Sequence, residues 1–313
     1  MSAPLSLPSA RVDIGVCTFR RPELQQTLRS LAGLALPDGV TVRVIVADND
    51  ASPSARPLVD GLRPSLPFDL LYVHCPVANI SIARNACLQN SDGDFLAFID
   101  DDEEASTEWL RLLLMTAEAT EADAVLGPVR ARYGVDAPDW MRRGDFHSTA
   151  PVWVGGEIRT GYTCNVLLRR ASPALAGRRF NLALGKSGGE DTDFFTHMHR
   201  AGGKIAFAAN AVVEEPVPPG RTRLSWLARR RFRMGQTHGR LLAENASFAK
   251  RPAQLALAAA KTGFCLLASL GCIPFAIQRN RYGLRAVMHL GVVSGLIGVR
   301  EIRQYGHLGA TTP

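Results

Sequence analysis

No two of the six cysteines (Cys17, Cys75, Cys87, Cys164, Cys265 and Cys272) stand at the close spacing of a zinc or redox pair. That excludes a zinc ribbon and a disulfide framework, and it fits a reduced, cytosolic protein. Neither G-x-G-x-x-G nor the full phosphate-loop motif occurs, so the two commonest glycine-rich phosphate cradles are missing. His74, His147, His197, His199 and His238 show no zinc spacing; His197 and His199, two apart, fall on different faces of a helix. No Ser–His–Asp or Cys–His arrangement stands out. The segment Met1–Ala10 lacks a charged start and an apolar centre, so no signal peptide is expected. Repeats and long low-complexity tracts are also missing. Acids all but vanish after residue 220. Residues 221–313 hold 15 Lys and Arg against 2 Asp and Glu, whereas residues 1–220 hold 21 against 27. The net charge of +7 therefore joins an acidic body to a strongly basic tail. That tail is set among long apolar stretches rather than a polar, aromatic-interleaved surface, which disfavours nucleic acid as the partner.

What is present is concentrated first at Phe95–Ile99, five apolar residues of strand length that run into Asp100, Asp101, Asp102, Glu103 and Glu104. Five consecutive acids repel one another unless something positive sits among them. At the carboxyl end of a buried parallel strand, where open α/β sheets place their ligands, a divalent cation is the natural guest. Oxygen-only ligands favour Mg²⁺ or Mn²⁺ over zinc. The other reading is an acidic helix start, with Ser106 or Thr107 capping a helix near Trp109. It accounts for Glu103, Glu104 and Glu108 better than for Asp100 to Asp102.

The first hundred residues alternate strands (Val12–Cys17, Val42–Ala47, Leu70–His74, Phe95–Ile99) with helices near Pro22–Leu34, Ala55–Leu62 and Ile80–Asn90. This pattern predicts an α/β fold, a Rossmann-like mainly parallel sheet flanked by helices. Strands are also expected at Ala124–Arg130, Thr163–Leu168 and Lys204–Ala208. A glycine-rich turn at Gly185–Gly189 leads into Glu190, Asp191 and a helix through Met198. Pro216, Pro218 and Pro219 coincide with the charge switch. The expected division is therefore a catalytic domain over 1–220 and an apolar, basic helical tail over 221–313.

That tail begins with Arg223, Arg229, Arg230, Arg231, Arg233 and Arg240 interleaved with apolar residues. Two apolar stretches follow, about Ala253–Ile277 and Ala286–Val299, edged by Arg251, Arg279, Arg281, Arg285, Arg300 and Arg303. They read as a monotopic or re-entrant helical hairpin on the cytoplasmic face of the inner membrane. The alternative is an ordinary buried helix pair covering the sheet or a dimer interface.

Polar clusters end the other early strands too: Cys17-Thr18-Phe19-Arg20-Arg21, Asp48-Asn49-Asp50, and Asn79 to Asn85 opening the third helix. Singly these are turns and caps; together they should face one crevice. The ordered set Val16 to Arg20, Asp48, Ala83-Arg84-Asn85, Asp100 to Asp102 and Gly189-Glu190-Asp191 resembles the family 2 inverting glycosyltransferases of GT-A fold. The resemblance covers about residues 10–240, and the opening Cys-Thr-Phe-Arg-Arg-Pro with Phe-Ile-Asp-Asp-Asp-Glu is most similar to bacterial exopolysaccharide glucosyltransferases of the succinoglycan type.

The resemblance implies roles. Asp48 would accept from the uracil imide, beside Phe19 and the Cys17 backbone, and Arg84 would help to hold the nucleotide. Asp100 and Asp101 would lie near ribose and metal, with Asp102 the direct ligand of Mn²⁺ or Mg²⁺. Asp191 would be the general base, with Glu190 shaping the site. Arg229, Arg230 and Arg233 sit where processive relatives carry a pyrophosphate-binding motif, and would touch a donor diphosphate, an acceptor diphosphate or membrane phosphates. Thr163-Cys164-Asn165 resembles the family's strand near the donor sugar, or is plain core. Trp140 and Trp153 would stack on sugar rings or pack structurally.

The implied activity is inverting, metal-dependent transfer of one hexose, from UDP-glucose, to a polyprenyl-diphosphate-linked saccharide in exopolysaccharide biosynthesis. The implied partners are a nucleotide-sugar donor, a lipid-linked saccharide acceptor and the inner membrane surface. Alternatives are another sugar nucleotide or acceptor, a sugar-1-phosphate nucleotidyltransferase, and, in a different class, a non-catalytic membrane-associated scaffold.

Overall fold

A computed structural model describes residues 9–245 and 248–299. Arg300 and Arg303 lie outside the described residues. The described chain forms two compact units, one built from residues up to 131 and from 148–216, the other from 132–147 and from 217–299.

The first unit opens with the alternation the pattern predicts: β1 (Ala10–Thr18), α1 (Leu24–Ala32), β2 (Val40–Asp48), α2 (Arg56–Leu62), β3 (Asp69–His74), α3 (Ile80–Asn90) and β4 (Phe95–Asp100). β1 lies between β2 and β4, and β3 flanks β2, all parallel. The centres of these strands are apolar on both sides, as at Ile14–Val16, Val44–Ala47 and Phe95–Ile99, because both faces are covered. Val44 and Val46 point to a core shared with Leu24, Leu28 and Leu31 of α1, while Ile45 and Ala47 point to one shared with Ala83 and Cys87 of α3. Next come β5 (Glu104–Ala105), α4 (Trp109–Thr120), β6 (Ala124–Leu126), β7 (Val129–Tyr133), α5 (Asp139–Gly144), β8 (Trp153–Val154), β9 (Glu157–Ile158), β10 (Asn165–Arg169), α6 (Glu190–Arg200), β11 (Ile205–Phe207) and β12 (Val213–Val217). The main sheet has seven strands in the order β11-β6-β10-β4-β1-β2-β3. α4 joins α1 on one face, and α6 joins α3 on the other.

Two details differ from the sequence pattern. β10 enters the sheet antiparallel to both neighbours, β4 and β6. The run expected at Ala124–Arg130 breaks at Gly127-Pro128 into β6 of the main sheet and β7 of a three-stranded ribbon, β5-β12-β7. Proline donates no ladder hydrogen bond, and a Cβ on Gly127 would lie 2.3 Å from the Ala211 carbonyl oxygen. The glycine is therefore required where the chain leaves the sheet. All six cysteines are free.

The second unit holds α5 with α7 (Leu224–Asn245), α8 (Arg251–Gly271) and α9 (Ala276–Leu296). Met141 and Phe146 of the 132–147 segment share a cluster with Leu227 of α7 and Leu284 of α9. α8 ends just before Pro274, which separates it from α9. It is long and apolar enough to cross a membrane by length and composition. Only Ala258 and Cys265, seven residues apart, are buried along it. Phe264 and Leu267 are 66% and 70% exposed, and no acid occurs from Arg251 to Val299.

Candidate active site

The strand register brings the polar clusters to one edge of the sheet. Cys17 lies opposite Asp100, and Thr18 opposite Asp48, at the carboxyl ends of β1, β4 and β2. Past β1, Arg20 adopts φ 54° and forms a two-pronged ion pair with Asp50, both contacts 2.9 Å. Arg20 also lies 5.3 Å over the Phe19 ring. Asp50 is buried, and Arg20 beside it holds its carboxyl down at about 2. Arg21 pairs with Asp102 at 3.6 Å.

Asp48 is fully buried and its carboxylate is engaged. Oδ2 accepts from the Tyr72 hydroxyl at 2.6 Å and the Ala55 N–H at 2.8 Å, and Oδ1 accepts from the Asp50 N–H at 3.1 Å. It therefore ties the turn after β2 to β3.

The acids after β4 are not helix-start acids. α4 begins at Trp109 with no acid in its first turn. Glu103 is buried six residues earlier and accepts the Asp100 N–H at 2.9 Å. Loss of solvent drives the carboxyl of buried Asp101 up to about 7, with Asp102 adding repulsion, and the partly exposed Asp100 is also pushed up. Arg84 opposes this at Asp100, and Arg21 opposes it at Asp101. Carboxylates this crowded are relieved by a cation. Among the described residues, no three His, Cys, Asp or Glu side chains form a ready-made metal cage. An oxygen-only set that is short of ligands fits Mg²⁺ or Mn²⁺, which keep few carboxylates and complete their shell with water and substrate phosphate.

α3 supplies what its sequence only hinted at. Asn79 caps it by accepting the Ser81 N–H, and its Nδ2 donates to the Leu182 carbonyl at 2.9 Å. The Ser81 hydroxyl donates to the Asn181 carbonyl. Asn85 exchanges two hydrogen bonds with the Phe180 backbone. Four side chains of one helix thus grip the loop that leads to Glu190 and Asp191, the fourth being Arg84, which donates to Glu190. A Cβ on Gly185 would lie 1.8 Å from Asn79 Oδ1, so that grip requires glycine. Asn79, Ser81 and Asn85 were visible as a polar helix start, but their partners lie about a hundred residues away.

Glu190 and Asp191 open α6 after Gly188 and Gly189, both at positive φ. Thr192 N–H donates to Asp191 Oδ1 at 2.7 Å, which orients the carboxylate. Asn165 is core: it accepts from Trp109 and donates to the Pro128 and Ala211 carbonyls. Trp140 packs edge-on against Phe146, whereas Trp153 is exposed. Arg229, Arg230 and Arg233 stand on α7 in the second unit, with Arg230 over the Trp226 ring.

A family model described as glycosyl transferase family 2 matches residues 13–173. The succinoglycan biosynthesis protein ExoM of Rhizobium meliloti (strain 1021) is 67% identical over 295 residues, 94% of this chain and 96% of that protein. A glucosyl-dolichyl phosphate glucuronosyltransferase of Haloferax volcanii is 25% identical over 252 residues, covering 72% of this chain and 75% of that protein. Among solved structures, S. aureus TarS aligns with 89% of this chain and 55% of its own at a TM-score of 0.52 and 17% identity. Its 1–349 portion in complex with UDP aligns with 91% of this chain and 90% of its own at a TM-score of 0.52 and 15% identity. At such identities these likenesses are of fold.

Proposed function

The chain belongs to glycosyl transferase family 2, with the mainly parallel sheet and flanking helices of the GT-A fold, and from that premise we propose that it transfers one hexose, glucose from UDP-glucose, to a polyprenyl-diphosphate-linked saccharide with inversion. The convergence of the Asp100–Asp102 acids and the Glu190-Asp191 helix start, linked through Arg84, carries the reaction class. The 67% identity to a succinoglycan biosynthesis protein supports a place in exopolysaccharide assembly.

In this reading Cys17, Phe19 and Asp48 face the uracil, Asp48 through Oδ1, which accepts a single hydrogen bond. Asp100 and Asp101 stand by the ribose and metal positions, and Asp102 would hold the divalent cation. The bound cation supplies Lewis-acid neutralisation of the diphosphate. Asp191 takes the proton of the acceptor hydroxyl as that oxygen bonds to the anomeric carbon. The bond from the anomeric carbon to the diphosphate oxygen breaks on the opposite face, and its electron pair leaves with UDP. Arg229, Arg230 and Arg233 serve acceptor or diphosphate binding, and Glu190 shapes the site beside Asp191.

The second unit attaches to the cytoplasmic face of the inner membrane, where a lipid-linked acceptor resides. The exposed apolar girth of α8 and the acid-free stretch from Arg251 to Val299 support this placement. The test is UDP release from UDP-glucose by the detergent-extracted full chain, with bacterial lipid extract as acceptor and with or without Mn²⁺. Asp191→Asn should lower the rate by about 10²–10⁴-fold. Transfer that survives this substitution unchanged would make the acids idle and favour the scaffold reading.

A further inference from the structure

Arg84 has anionic neighbours on two separate elements. Its Nη1 donates to Glu190 Oε1 on α6, and its Nη2 lies 3.9 Å from Asp100 Oδ1 at the end of β4. The Arg84 and Glu190 side chains are 8% and 4% exposed. The Phe180 ring, on the loop gripped by α3, lies 5.8 Å from the guanidinium. Asp191 and Cys17 complete the groups that act on Arg84 electrostatically. Glu190 Oε2 is buried with no hydrogen-bond partner, so Arg84 is the group that answers this carboxylate's charge.

This enclosed guanidinium is held by the protein itself, bonded to Glu190 on one side and turned toward Asp100 on the other. Its reach is that of a bridge. Asp100 belongs to the donor-side acids, and Glu190 is bonded in sequence to the residue read above as the base. One planar, rigid cation spans both. We propose that Arg84 is a positioning residue rather than a nucleotide ligand: by bridging Asp100 and Glu190 it fixes the first turn of α6, and Asp191 with it, against the donor-side acids. This rests on the assignment of Asp191 as base.

Without Arg84, Glu190 would be a buried carboxylate with no cation, immediately beside Asp191. The damage should therefore fall on turnover, and removing the Glu190 charge as well should relieve it. Arg84→Met should lower kcat about 100-fold while donor KM and the Kd for UDP change less than about threefold. The double variant Arg84→Met/Glu190→Gln should recover at least about tenfold of that loss, because no lone buried charge remains.

A rise of about tenfold or more in donor KM and UDP Kd, persisting in the double variant, would show Arg84 on the nucleotide and overturn the proposal. Failure of the double variant to recover kcat overturns it equally. Should Arg84→Met not fold, the double variant is compared with Glu190→Gln: equal kcat supports the bridge, and a further loss refutes it. Failure of the base assignment shows separately, as unchanged transfer by Asp191→Asn.

Discussion

Gly235 on α7 and Gly291 on α9 face each other so closely that a methyl group on either would lie about 3 Å from the other's Cα, at 2.9 and 3.1 Å. Gly239 and Gly295 repeat the approach one turn along, and Gln236 bonds Ser294 between them. These small residues, four apart on both helices, let the two backbones approach more closely than larger side chains would allow. A Cβ at Gly235 would lie 2.0 Å from the Met288 carbonyl oxygen, and backbone cannot step aside. Gly235→Ala should therefore cost about 1–3 kcal/mol. Gly263→Ala on α8, where nothing lies within 4 Å, should instead stabilise by up to about 1 kcal/mol. Denaturation of the full chain in mild detergent reads both.

Asp102→Asn should raise the Mn²⁺ concentration for half-maximal rate by more than about tenfold, and a chelator should stop the wild-type reaction. A metal titration with both proteins decides it. Indifference to chelation would remove the cation from the proposed reaction.

The membrane attachment proposed for α8 has a split signature. Phe264→Glu with Leu267→Glu should release the protein from vesicles containing anionic lipid, because each places a charge on a surface now 66% and 70% exposed. High salt alone should leave the unmodified protein in the pellet, and detergent should free it. Release by salt alone would mean that the arginines, and not the apolar girth, make the attachment.

His147 is built to stay neutral. Its Nε2–H donates to the Arg221 carbonyl at 3.1 Å, Nδ1 accepts the Tyr133 hydroxyl at 3.2 Å, and the ring stacks on Trp226. Burial, reinforced by Arg230 and Arg221, pushes it down to about 4. The unfolded chain takes up this proton near pH 6.5, well before the folded chain does. Its contribution is thus complete above about pH 6.5 and shrinks as pH falls toward 4, with about 2 kcal/mol lost by pH 5. Melting at pH 8 and pH 5 should show this component in the wild type and lose it in His147→Gln.

Local patterns were legible wherever the deciding contact was close in sequence. Each early strand has an apolar centre, and β1 to β4 with α1 to α3 fall where that pattern and the turn residues put them. The acids at the strand ends were legible for the same reason, since parallel strands share an edge. Long-range partners were not. Nothing local distinguishes Arg84 as a nucleotide ligand from Arg84 as the partner of Glu190, 106 positions away. Nor does any local feature of Asn165–Arg169 encode its antiparallel entry, which is set by neighbours on both sides. Glu103 looked like a surface acid at a helix start, yet it is interior because β5 intervenes before α4.

The excursion of residues 132–147 into the second unit bears on how such a protein could be cut, fused or recombined. Among the described residues the covalent chain passes between the units after residues 131, 147 and 216, so no single break separates them. A gene stopped near codon 220 would strand Met141 and Phe146 without Leu227 and Leu284, giving a sticky fragment rather than a soluble enzyme. The helical portion is consequently not a cassette that can be exchanged by itself. Its inheritance is bound to that of the loop, and chimeras between relatives should exchange residues 132–147 together with the C-terminal helices.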